Sequence, residues 1–249
     1  MKRKILVSRE IIEKLDTWLS TLAEPFLPLI QVPGENGRFH WEFREKRPET
    51  LVVGKAVRMV SGIKAALLLA DNGFTTECAS LLRMVSEFSQ EILSVVEGLV
   101  EKRLTEPQER FVRQYFAPLA RSPEEFEEME RERYVSREEL FKGHYRLGAK
   151  AEVEVDRLRL LSRFLNYSYD KYVHGAYLTA MELYNGLENR FMLSGHTAER
   201  PREIARTAVA GKLHEVITAL EMMSLLSDNT GLQRELTEAR RALDASGDY

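Results

Sequence analysis

The stretch from Thr75 to Leu104, TTECASLLRMVSEFSQEILSVVEGLVEKRL, is the longest uninterrupted run of helix-compatible sequence in the chain. It contains no Pro, and no Gly before Gly98. Cys78, Leu81, Leu82, Val85, Phe88, Ile92, Val96 and Leu99 recur mostly at three- and four-residue steps. With about 3.6 residues per turn they fall on one side of a helix and form a core stripe. Thr76, Ser80, Arg83, Glu87, Gln90 and Ser94 lie on the other side. Small hydroxyl residues above and below a charged pair predict a polar seam against another helix, where a solvent face would carry Lys and Glu. The rest of the chain is expected to pack around this helix.

The 249 residues, 44% of them hydrophobic, can bury a sizeable core. Gly and Pro are few, at 14 and 8, while Leu, Ala, Glu, Arg and Met abound, which favours helix over sheet. The expected class is all-α: a single antiparallel helical bundle of about seven to nine helices, with a short β-hairpin or an aromatic-anchored loop near residues 37–45. Three segments are marked off: residues 1–48 with a helix and the aromatic stretch, 49–226 as the main bundle, and 227–249 as a short helix and tail. A net charge of -3 offers no global electrostatic argument for nucleic acid or membrane. The single Cys78 sits on the core stripe and cannot form an intrachain disulfide. No apolar stretch is long enough for a signal or a membrane span, so the expected location is cytoplasmic.

Taken in order, Ser8 opens an amphipathic helix with Ile11, Ile12, Leu15, Leu19 and Leu22 inward, stopped by Pro25 and Pro28. Phe39, Trp41 and Phe43 alternate with polar residues behind Glu35-Asn36-Gly37. Helix resumes near Thr50 and runs to Asn72-Gly73, a favourable left-handed end, so it folds back on the Thr75 helix as an antiparallel hairpin. Gly54 and Gly62, eight apart, could permit close helix contact or simply be tolerated. Further starts are signalled at Thr105-Glu106-Pro107, Ser122–Glu125 and Ser136–Glu139, the last two as capping boxes. The charge run EEFEEMERERY reads as a solvated helix face, and Glu152–Asp156 as surface. One long helix is expected over Ala151–Leu187, a break at FMLSGHTAERP, and a helix from Pro201 with Ile204, Ala208, Leu213, Ile217, Leu220 and Met223 inward. A last short helix, LQRELTEARRALDA, has a thin apolar face and a fraying end.

Two clusters could carry chemistry. Arg163, Asn166, Asp170 and His174 are spaced three, four and four apart, so they share one stripe that Tyr177 continues. An Asp one turn before a His can fix its tautomer for acid–base work, or help grip an anion beside an Arg. The same spacing also suits an ordinary solvent-facing stripe. Arg83 and Glu87 are spaced i,i+4 on the central helix and are either a surface pair or part of the seam. If the two helices face each other, Arg83, Glu87, Asp170 and His174 converge in one interhelical cleft, an expectation that an exposed Arg83 would overturn. Arg163, Asn166 and Tyr177 would then be binding residues beside it.

No phosphate loop, dinucleotide fingerprint or CxxC is present. None of the five His has a Glu three residues before it, which disfavours a bundle-borne di-metal site. No cofactor or metal is called for.

At LLRMVSEF and SYDKYVHGAY, over roughly Ala56 to Tyr177, the chain resembles a group of bacterial all-helical proteins in which a Leu-Leu-Arg-x-x-x-Glu helix precedes a Ser-Asp-x-x-His-like segment. That group is similar in turn to the HEPN superfamily, which includes toxin and antiphage ribonucleases and non-enzymatic members. The resemblance implies a compact bundle, dimerisation and an RNA-related or defence role. The Arg, four to six residues, His signature is matched by Arg137 to His144 and Arg190 to His196, whereas His174 has its nearest upstream Arg at Arg163, eleven residues away. The first expectation is a binding or regulatory module linked to bacterial stress or phage defence, acting as a homo-oligomer (dimer) or with a protein partner, with RNA as a further candidate and no membrane. The alternatives are a metal-independent HEPN-type ribonuclease, using His174 with Arg163 or Arg83, and a structural module assembling through EEFEEMERERY.

Overall fold

The structure is a computed structural model that describes residues 2–33, 38–117 and 167–246 and, between the last two blocks, residues 122–125, 127, 135, 136, 139, 140, 160 and 164. It is all-α with two small antiparallel hairpins. The helices are α1 (Lys2–Ala23), α2 (Pro48–Asp71), α3 (Thr75–Val100), α4 (Glu106–Tyr115), α5 (167–173), α6 (Tyr177–Met181), α7 (Glu199–Ser224) and α8 (Thr230–Ser246). The strands are β1 (Ile30–Pro33), β2 (Phe39–Glu42), β3 (Tyr184–Asn185) and β4 (Arg190–Phe191).

The Thr75 helix is central, as its length and stripe predict. Cys78, Leu82, Val85, Ile92 and Val96 are buried, and so are Thr76, Arg83, Ser86, Ser89 and Ser94 on its other sides. The reason is that α2 and α7 both pack against α3 and against each other. One apolar core runs from Ile11 and Leu15 of α1 through Met59 and Ile63 of α2 to Leu213, Ile217 and Leu220 of α7 and Leu236 of α8. It therefore joins all three segments marked off in the sequence.

The α2–α3 connection is a tight stop. Phe74 N–H donates to Leu69 O (2.9 Å) and Gly73 N–H to Ala70 O (3.2 Å), with Gly73 left-handed at φ 82°. This turn is also a docking point, because His196 N–H donates to Gly73 O at 2.8 Å. A Cβ on Gly73 would lie 2.2 Å from His196 O, so the two backbones cross at a distance only glycine allows. Gly62 likewise lets α2 approach α3, since its Cβ would sit 3.0 Å from Met84 and Val85 side-chain atoms. Gly54 instead faces the Tyr115 hydroxyl of α4. There Lys55 lies against the rings of Phe88, Phe111 and Tyr115 and pairs with Glu91 at 2.8 Å. α4 is capped by Thr105 and Gln108, each accepting the other's backbone N–H.

Several bounds differ from the sequence reading. α1 begins at Lys2, ahead of Ser8, which is buried within it. The aromatic stretch does form a strand: β2 pairs with β1 in the register Ile30↔Glu42 to Pro33↔Phe39. Phe39 and Trp41 are exposed, and only Phe43 packs on the core. The single helix expected over Ala151–Leu187 is not continuous in its described part. α5 ends at a left-handed Gly175 (φ 58°), with Ala176 N–H on Lys171 O (2.9 Å) and Gly175 N–H on Tyr172 O (3.3 Å). α6 follows, and then β3 pairs with β4 where helix was expected. Ile204 is 62% exposed on α7, not inward, because that helix buries Ala205 and Val209 instead. α8 is firmer than its composition suggests, with Leu232, Leu236 and Leu243 buried. The Ser136–Glu139 capping box is formed, each side chain accepting the other's backbone N–H, and at the first site Ser122 Oγ accepts Glu125 N–H. EEFEEMERERY, apart from Glu124, Glu125 and Glu127, lies outside the described residues, as do Glu152–Asp156, Arg137 and His144.

Candidate functional site

α3 delivers the first charged group of the site. Arg83 is 3% exposed, on the side of α3 that α5 covers. Its Nε lies 2.7 Å from Asp170 Oδ1, and its Nη1 lies 2.8 Å from Glu87 Oε1. One guanidinium thus faces two carboxylates, and the polar seam expected between these helices exists. Of the four residues expected to converge, Arg83, Glu87 and Asp170 do. His174 does not join them. Its backbone N–H continues the helix to Asp170 O, but its imidazole is exposed and, among the described residues, makes no hydrogen bond or ion pair. Tyr177 lies beyond the Gly175 stop on α6 and is exposed, so it does not continue the Asp170 stripe. Arg163 and Asn166 lie outside the described residues.

One turn further along α3 a second polar cluster joins α7. Lys212, buried, places Nζ 2.6 Å from Ser86 Oγ and 2.6 Å from Glu215 Oε1, while Ser86 donates to Glu215 Oε2. The same ammonium lies 5.0 Å from the centre of the Tyr169 ring of α5. A buried lysine is costly unless its donors find acceptors, and here a carboxylate, a hydroxyl and a ring face supply them. Burial first, then the negative charge of Glu215, pushes the Tyr169 hydroxyl up to about 12. In both clusters the cation is already paired, Arg83 with two carboxylates and Lys212 with Glu215.

Between these helices opens a cleft of about 660 Å³, within the range usual for ligand sites. Its walls are Cys78, Ala79 and Leu82 from α3 and Pro201, Ala205 and Ala208 from α7, with Tyr169 and Tyr172 of α5 closing one side. Thr75, Ser168, Glu182, His196, Arg200 and Ile204 complete the lining. Tyr172 donates its hydroxyl to Glu182 Oε1 (3.0 Å), and burial, with Glu182 adding, raises its pKa. Burial, assisted by Glu77, pushes the Cys78 thiol up to about 12, so this cysteine is an apolar wall and not a nucleophile.

Sequence reasoning missed Ser86, Tyr169 as a specific partner, Lys212, Glu215, His196 and Arg200. One signal was readable. Lys212 sits four residues before Val216 and three after Val209, in the middle of the inward stripe of α7, where an ammonium needs a buried acceptor. Among the described residues, no group of three or more His, Cys, Asp or Glu could hold a metal ion, and no helix is long and apolar enough to cross a membrane. In comparisons with known proteins, no family model, curated protein or solved structure matches the chain.

Proposed function

We propose that the protein is a helical-bundle binding module whose cleft between α3, α5 and α7 takes a small, mainly apolar ligand. Ligand occupancy would regulate what the bundle associates with, in the stress or phage-defence setting that the sequence resemblance implies. The observation that carries this reading is the cleft itself: about 660 Å³ and walled mostly by carbon, with the flanking Arg83 and Lys212 already paired. Ligand sites are typically concave, apolar and equipped with a few polar groups, and this cleft has that composition. The ribonuclease alternative draws no comparable support, because Arg83 would have to leave two carboxylates before it could hold a phosphate.

The reading is tested with a neutral naphthylamine dye that brightens in apolar surroundings. The wild-type protein should bind it saturably. Ala208→Phe, which places a ring in the open cleft, should weaken binding by at least about tenfold, or about 1.4 kcal/mol, while the circular-dichroism melt is retained. A wild type that leaves the dye dark would sink the proposal.

A second reading, assembly with another copy, has its own observation. Tyr177, Leu178, Leu187 and Leu193 are exposed on consecutive elements after α5, an apolar content unusual for a free surface.

A further inference from the structure

The polar residues at the cleft differ in what they already bind. Ser168 donates to Phe164 O at 3.0 Å, and Tyr172 donates to Glu182, the one carboxylate among the described lining residues. The lining also carries His196 and Arg200. His196 is held in place by its backbone, whose N–H donates to Gly73 O (2.8 Å) and whose carbonyl accepts from Arg202 Nε (2.8 Å). Its side chain is therefore carried to the cleft by a crossing that Gly73 makes rigid.

The three arginines at the start of α7 make a useful contrast. Arg202 is engaged on the His196 carbonyl, and Arg206 on Asp71 and Glu199. Arg200, which lines the cleft, has no hydrogen bond or ion pair among the described residues. Its nearest acidic neighbour in sequence, Glu199, is taken by Arg206. A guanidinium without a partner among the described residues, in the same lining as an imidazole, complements a molecule with a carbon body and an acidic head.

We infer that the ligand is an amphipathic anion, its apolar part lying between α3 and α7 and its acidic group held at the mouth by Arg200 and His196. This rests on the binding reading above and adds the charge of the ligand to it. Arg200 supplies a planar fork suited to a carboxylate, and the imidazole of His196 supplies a further donor. Glu182, already accepting the Tyr172 hydroxyl, would repel an anionic head placed beside it.

The experiment is displacement of the neutral dye, near neutral pH, by a medium-chain fatty acid and by its methyl ester, each below the concentration at which it aggregates. The acid should displace dye at a concentration at least about tenfold lower than the ester, as a charge-assisted pair on a partly enclosed site allows. Arg200→Gln, with displacement referred to that variant's own dye affinity, should bring the two within about threefold of each other, and Arg200→Lys should restore part of the preference. Equal competition by acid and ester in a wild type that binds dye would overturn this inference and leave the binding reading standing. So would a preference that survives in Arg200→Gln. A wild type that binds no dye would overturn both.

Discussion

Cys78 and Tyr169 face the same cleft, and both are weak acids held protonated by their surroundings. Burial is the main cause for each, and it pushes the thiol from an ordinary value of 9.0 up to about 12 and the phenol from 10.0 up to about 12. The sign of the linkage follows. Because the unfolded chain releases these protons at lower pH than the folded one, stability from this source is complete below pH 9 and falls as pH rises from there toward about 12. Urea midpoints should therefore be level near neutrality and decline above pH 9, the ordinary value of the thiol. Cys78→Ala should flatten the part of that decline between the ordinary thiol and phenol values, leaving the later part due to Tyr169. A Cys78→Ala curve parallel to wild type across this range would show that the thiol is not buried as described.

Arg83 ties α5 to α3 through Asp170 and also pairs with Glu87 of its own helix, and water reaches the three groups unequally. The Arg83 side chain is almost wholly enclosed, whereas Asp170 is 45% exposed at its side chain and Glu87 is partly exposed. Removing Arg83 leaves two carboxylates that can turn toward water, so Arg83→Ala should cost about 2 kcal/mol, less than the 3–5 kcal/mol usual for breaking a fully buried pair. Asp170→Asn keeps Arg83 paired with Glu87 and should cost about 1 kcal/mol or less. Urea unfolding, with hydrogen exchange of residues 167–173, measures both; an Arg83→Ala protein with wild-type stability and protection would refute this account of the docking. The Arg83–Glu87 pair was legible because both residues lie on one helix, at a spacing that the helix itself sets. Asp170, 87 residues from Arg83, could be placed only by supposing that two polar faces meet. The stop at Gly175 was less legible, since YLTAMELY after it has ordinary helical composition and outweighed two glycine signals, His174-Gly175 and Asn185-Gly186. Gly175 acted because a left-handed residue closes the last turn, while at the second site the Asn185 side chain accepts Leu187 N–H at 3.0 Å and starts the β3–β4 turn.

At the scale of the molecule, the all-α class was readable because few residues break helix and the apolar stripes are long, while what covers each stripe was not. Periodicity reports the face a helix hides and is silent on the neighbour that hides it. Outer surfaces carry the same ambiguity. Leu187 is 99% exposed and Leu193 78%, with Leu178 and Tyr177 exposed on α6 before them. Such residues cost little singly, and a second copy seated on them would remove their apolar area from water. Burying two leucine side chains per copy contributes about 2–3 kcal/mol each at full burial, from which the cost of ordering two bodies must be subtracted, so a dimer of modest affinity is the expected result. Light scattering after size exclusion should give twice the 28.7 kDa chain mass at high protein concentration and a shift toward one chain on dilution. The double substitution Leu187→Glu with Leu193→Glu should give a single-chain mass throughout with an unchanged melt, because neither leucine belongs to the buried core. Wild-type protein that stays at one chain mass at every concentration would leave this face without a second copy, and the binding reading would then stand on the cleft alone.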